Sequence, residues 1–175
     1  MDRFDCHNGN TAAYFAQPAE RLVLEGYRHW AAGKATGDVR AQEAAVDLYL
    51  DILGHRGSKT AIYALSAFIG ALGRCAACPL RTFEAGSPHI CRDEVMVMGL
   101  VAGIQNHDDQ AVETCLSALT CRSRCEEVAL AAGSFALVLR GLGKVLQPIP
   151  APVISEILHR SAMTSSAAAQ STTLH

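Results

Sequence analysis

Apolar residues in this chain recur at steps of three and four, and few segments alternate as a strand would. Ala45, Leu48, Tyr49, Ile52 and Leu53 form one such stripe, and Ile62, Leu65, Phe68, Ile69 and Leu72 form another, which Cys75 continues. Val112, Cys115, Leu116 and Leu119 make a shorter one, and Val128, Ala132, Phe135, Leu139, Leu142 and Leu146 a longer one. Residues at this spacing share a face only when the chain is wound as a helix, and each such face must be covered by another. The expected fold is therefore all-α, a compact bundle of six or seven helices. Half of the 175 residues are apolar, ample for one core, and nothing demands a second domain.

Helix ends can be read from residues that supply or remove backbone hydrogen bonds. Pro18 is expected to open a helix through Leu22, Leu24, Tyr27 and Trp30. Asp38 can cap the next, which "GHRG" (Gly54 to Gly57) ends, and Ser58 can cap the one after. Pro79 is expected to stop that helix, with Cys78 in its last turn. Ser87 then reads as a cap with Pro88 at the first helical position, which places Cys91 in an opening turn. Asp108 opens a shorter helix, and Ser123 with Glu126 resembles a capping box that puts Cys125 in a first turn. "PAPVISEILHR" supplies a short last helix, so residues 1–161 are expected to be one helical domain and 162–175 a disordered tail. Gly99, Gly103, Gly133, Gly141 and Gly143 would permit close helix contacts.

The composition excludes several classes of function. A formal net charge of −2 with 18% charged residues gives no electrostatic footprint for nucleic acid. The longest greasy run, Val128 to Leu139, is too short to cross a bilayer, and the first ten residues lack the pattern of a secretory signal. A cytoplasmic protein is expected, and in a reducing compartment seven cysteines are more consistent with free, metal-bound or catalytic thiols than with a disulfide framework.

The chemical content is concentrated in "RCAACPLRTFEAGSPHICRDE", from Arg74 to Glu94, a cysteine-bearing loop between two central helices. Thiolate is a strong, polarisable donor, and Cys75 and Cys78 have the two-residue separation that aims two sulfurs at one ion. Cys91, His89, Cys121 and Cys125 could complete a zinc site if the bundle gathers the ends of three helices. An iron–sulfur cluster is the alternative cofactor, with "CP" at Cys78–Pro79 echoing one element of a ferredoxin run. Zinc joining helix ends would suit a regulatory or protein-interaction role better than hydrolysis.

Two other readings stand beside metal binding. Helix N-termini and neighbouring arginines both favour thiolate, so Cys91 beside Arg92 and Cys125 beside Arg124 are candidate reactive thiols of a redox enzyme or sensor. Twelve of the fifteen basic residues are arginine, and Arg74, Arg81, Arg92, Arg122 and Arg124 all lie near cysteines. They could offset thiolate charge, bind a small anion, or pair with Glu84, Asp93, Glu94, Glu126 and Glu127. The third reading is a dimeric helical scaffold, or one that binds a protein partner, since surplus apolar helix must be covered. Cys115 reads as core, and Cys6 with His7 as a remote ligand pair. "GHRGSKT" is not a phosphate-binding loop, because Ser58 separates Gly57 from Lys59.

Overall fold

The computed structural model describes residues 17–77 and 79–170, with side chains to Arg160. Six helices and no strand make up the described chain: α1 (Pro18–Thr36), α2 (Val39–Cys75), α3 (Arg92–Asn106), α4 (Asp109–Leu119), α5 (Cys125–Gly141) and α6 (Ala151–Gln170). The all-α architecture expected from periodicity is the one observed. Among these residues no helix is long and apolar enough to cross a membrane.

Helix α3 is the centre. Its run from Glu94 to Gly103 is buried without interruption, and it packs against α1, α4, α5 and α6. A helix enclosed on all sides can be apolar all round, which is why "VMVMGLVAG" lacks a polar face. Two glycines expected to admit close neighbours do so here: a Cβ on Gly99 would stand 2.9 Å from Cys115 Sγ, and one on Gly103 3.0 Å from Val112. A Cβ on Gly133, Gly141 or Gly143 would meet nothing within 4 Å. The close packing attributed to those three does not occur within the chain.

Helix α2 runs antiparallel to α5, with Phe68 stacked on Phe135 at a centroid separation of 5.9 Å and Arg74 reaching Glu127. Such an aromatic pair adds about 1 kcal/mol beyond burial. Helix α1 lies on α2 through Tyr49, whose hydroxyl donates to the Leu22 carbonyl at 3.0 Å. Gln105 anchors the segment after α5: its amide nitrogen donates to the Ala136 and Lys144 carbonyls, and its oxygen accepts from Leu146 N–H, at 2.8 to 3.0 Å.

Asp38 and Asp108 cap α2 and α4 through side-chain oxygens 2.9 Å from the Arg40 and Ala111 amides. Other expected boundaries move. The break within α2 falls at Gly54, whose φ of +67° suits a residue without Cβ. Helix resumes directly after it, so Ser58 lies inside a helix and donates to the His55 carbonyl rather than capping. Helix α2 ends at Cys75, ahead of Pro79, because Ala76 leaves to form an isolated antiparallel bridge with Thr120. Cys91, not Ser87, is the cap residue of α3, and Arg124, not Ser123, that of α5. Helix α6 continues to Gln170, past Arg160 where the sequence ended it; residues 171–175 lie outside the described chain.

Candidate functional site

The Ala76–Thr120 bridge sets two cysteine-bearing segments side by side. Cys121 N–H donates to the Cys75 carbonyl at 3.2 Å, and Ala77 N–H to the Leu119 carbonyl at 3.4 Å. Arg124 N–H turns back to the Cys121 carbonyl at 3.0 Å, which delivers Cys125 as the first residue of α5. The end of α2 and the start of α5 thus form one corner holding Cys75, Cys121 and Cys125. Cys78 lies outside the described residues, as does the Cys6–His7 pair.

Each thiol of the corner has a definite neighbour. Cys75 is buried and its Sγ lies 3.2 Å from Glu127 Oε2, to which it donates. Burial first, then that bond and the carboxylate charge, raise the Cys75 thiol above its ordinary value, while Arg124 and Arg74 pull the other way. Cys125 is half-buried and donates to the Arg122 carbonyl at 3.3 Å. Cys121, also half-buried, stands 3.6 Å from Ser123 Oγ. Arg74 binds Glu127 through its guanidinium, and Arg124 Nη1 donates to the Arg74 carbonyl at 3.0 Å. Of the arginine roles open in the sequence, pairing with local acids is the one seen for Arg74. Among the described residues, no three His, Cys, Asp or Glu side chains are arranged around a common point as metal ligands would be.

Cys91 and His89 belong to a different cluster. Cys91 caps α3 and its Sγ lies 3.2 Å from the Arg81 carbonyl. Burial and then the Glu94 carboxylate push its thiol up to about 12. That is opposite to the direction expected for a first-turn cysteine beside an arginine, because burial disfavours the thiolate and the Glu94 carboxylate folds back onto the cap. His89 contributes its carbonyl to Arg28 and its ring to Phe83, at a centroid distance of 6.0 Å. Cys115 is core, as expected, with burial pushing its thiol up to about 12.

The group organising this second cluster, Arg28 with Glu94, is the feature the sequence reading missed. Both side chains are wholly buried, and the guanidinium meets the carboxylate bidentately at 2.7 and 3.1 Å. Arg28 also donates to Glu25 and to the Ser87 and His89 carbonyls. Glu94 accepts in addition from Thr82 Oγ1, Phe83 N–H and Cys91 N–H at 2.8 to 2.9 Å. Apart from the Arg28–Glu25 contact within α1, the arms of this pair end on the 82–91 stretch, so it functions as a clamp that fixes the cysteine-bearing loop to α1. The available signal was an arginine four residues after Leu24 and four before Ala32, on the side of α1 that carries apolar residues.

Two cavities flank the loop. One of about 740 Å³ lies beside the cysteine corner, walled by Tyr27, Lys34, Arg74, Ala76, Pro79 and Leu80. The other, about 650 Å³, lies between α1 and the loop, with Arg21, Glu25, His29 and His89 on its walls. What the fold and the corner define is an all-helical bundle whose central loop and two helix ends carry most of its thiols. Comparison with protein-family models, with curated proteins and with solved structures finds no match to the chain.

Proposed function

We propose that the corner between α2 and α5 is a cysteine-ligated metal centre, zinc in the first instance, and that the protein is regulatory or interacts with other proteins. The observation supporting this is the hydrogen bond from Cys121 N–H to the Cys75 carbonyl. It brings Cys75, which opens a C-x2-C in the sequence, against the start of a C-x3-C, Cys121 to Cys125, across 45 intervening residues. Four thiols drawn from two adjoining segments are the usual composition of a structural zinc site. Arg74 and Arg124 would offset the charge of several thiolates on one ion. Cys91 and His89, anchored in the Arg28–Glu94 clamp, are left out of this ligand set.

The test is metal analysis of protein purified under reducing, anaerobic conditions, with serine variants read individually. About one equivalent of zinc is expected, retained by Cys91→Ser and Cys115→Ser and lost by Cys121→Ser and Cys125→Ser. Less than about a tenth of an equivalent of any transition metal in the parent protein would reject the proposal. Bound iron with acid-labile sulfide and a visible absorption band would redirect it to an iron–sulfur cluster.

A redox reading has one observation in its favour, the position of the half-buried Cys125 at the positive first turn of α5. It requires Cys125 to alkylate faster in the folded, metal-free protein than in the denatured chain, and to form one reproducible disulfide under mild oxidant.

A further inference from the structure

The outer face of α5 is built unlike its inner face but is not polar. Glu126, Leu130, Ser134, Leu137 and Gly141 are exposed at steps of four, four, three and four, which makes them a single stripe. Leu130 and Leu137 are 68% and 64% exposed, two turns apart. Between them lies Gly133, whose absent Cβ relieves no contact in the chain. A glycine inside a helix costs about 1 kcal/mol relative to alanine, so intramolecular packing gives no reason for it. The charges along the face are segregated, with Glu126 and Glu127 in the first turn and Arg140 in the last.

These features become complementary when the face meets a second copy of itself in antiparallel orientation. A twofold axis between Gly133 and Ser134 sets Leu130 of one copy against Leu137 of the other, twice. The same axis brings the glycine of each copy to the centre, where helices approach most closely, and places each acidic first turn beside the Arg140 of the other copy. Glu126 has no partner among the described residues. Arg140 uses one nitrogen on the Gln105 carbonyl and His107, both at 3.0 Å. We propose that this face is the isologous interface of a homodimer, an antiparallel α5–α5 pair centred between Gly133 and Ser134.

A helix of this length is about 25 Å long, and with its flanks it offers roughly 500 Å² per copy. That is below the roughly 800 Å² per partner of a standard interface, so a dimer in the micromolar range is expected. It does not depend on the metal centre.

Sedimentation of the full chain between about 2 and 200 µM tests it. The mass should rise with concentration from 18.6 kDa towards twice that value. Leu130→Glu and Leu137→Arg should each hold the protein at 18.6 kDa, and the double variant should dimerise again, because every new glutamate then faces a new arginine. Leu130→Ser, a milder change at the same exposed position, should weaken association at least tenfold, with a far-UV spectrum like that of the parent. Val39→Glu, at a 62% exposed apolar residue on another helix, should behave as the parent does. A monomer at every concentration overturns the proposal. So does a dimer indifferent to Leu130→Glu, which would assign the assembly to another surface, or a double variant that fails to recover, which would reject the antiparallel pairing of Leu130 with Leu137.

Discussion

Replacing Glu94 by glutamine changes one atom and should remove much of the order of the central loop. The carboxylate accepts five hydrogen bonds, from Arg28 Nε and Nη2, Thr82 Oγ1, Phe83 N–H and Cys91 N–H, at 2.7 to 3.1 Å. An amide in the same place must turn its NH2 towards either the Arg28 Nε, Thr82 and Phe83 donors or the Cys91 and Arg28 Nη2 donors, so donors face donors in both orientations. It also leaves the buried guanidinium with only Glu25, at the partly exposed rim, as counter-charge. Breaking a buried pair from one side costs about 3–5 kcal/mol, a large fraction of the ~5–15 kcal/mol that holds a domain folded. Urea unfolding at pH 7 followed by far-UV circular dichroism should show that loss. Hydrogen exchange should also show the Phe83 and Cys91 amides losing protection before those of α3. Burial opposes ionisation of Glu94, but the bonds from Arg28, Cys91 N–H and Phe83 N–H outweigh it and hold the carboxyl below its ordinary value of 4.5. Its contribution to stability is therefore complete above pH 4.5 and is lost as pH falls through the lower folded value. Glu94→Gln should flatten that acid limb. A variant within about 1 kcal/mol of the parent at neutral pH, or one with an unchanged acid limb, would refute the clamp.

Gly99→Ala should destabilise by about 1–3 kcal/mol, because its Cβ would meet Cys115 Sγ at 2.9 Å, and Cys115→Ala in the same chain should restore much of the loss in a double-mutant cycle. Gln105→Leu should cost about 2–3 kcal/mol in urea unfolding, since it strands the buried Leu146 amide and removes the bonds to the Ala136 and Lys144 carbonyls. Cys91 and Cys115, with thiols pushed up to about 12, should resist alkylation at pH 8 until the chain unfolds. Rapid labelling of either in the folded state, read by mass, would contradict their burial.

The parts of this fold legible in the sequence are those decided within a turn or two of chain. Asp38 and Asp108 announce their helices because a cap bonds an amide two or three residues away, and the apolar stripes declare α-helix because their period is local. The boundaries that moved were decided by partners far away in sequence. Ser87 and Pro88 carry a sound start signal, yet α3 begins at Arg92 because Arg28, more than fifty residues upstream, holds the Ser87 and His89 carbonyls and draws Glu94 back onto the Cys91 amide. Ser123 and Glu126 match a capping box, but the preceding chain is committed to Cys75 through the Cys121 amide, and the turn closing on Arg124 delays the helix. The same long-range contacts sorted the thiols. Spacing alone made Cys91 as good a companion for Cys75 as Cys121 is, whereas the fold assigns Cys91 to the clamp and pairs the backbone of Cys121 with that of Cys75. Of the two glycine groups that looked alike in sequence, Gly99 and Gly103 meet neighbours within the chain and Gly133 and Gly141 face outward. Periodicity can place a small residue on a helix, but only the neighbouring elements determine whether the space beside it is filled by the chain itself or left open for another molecule.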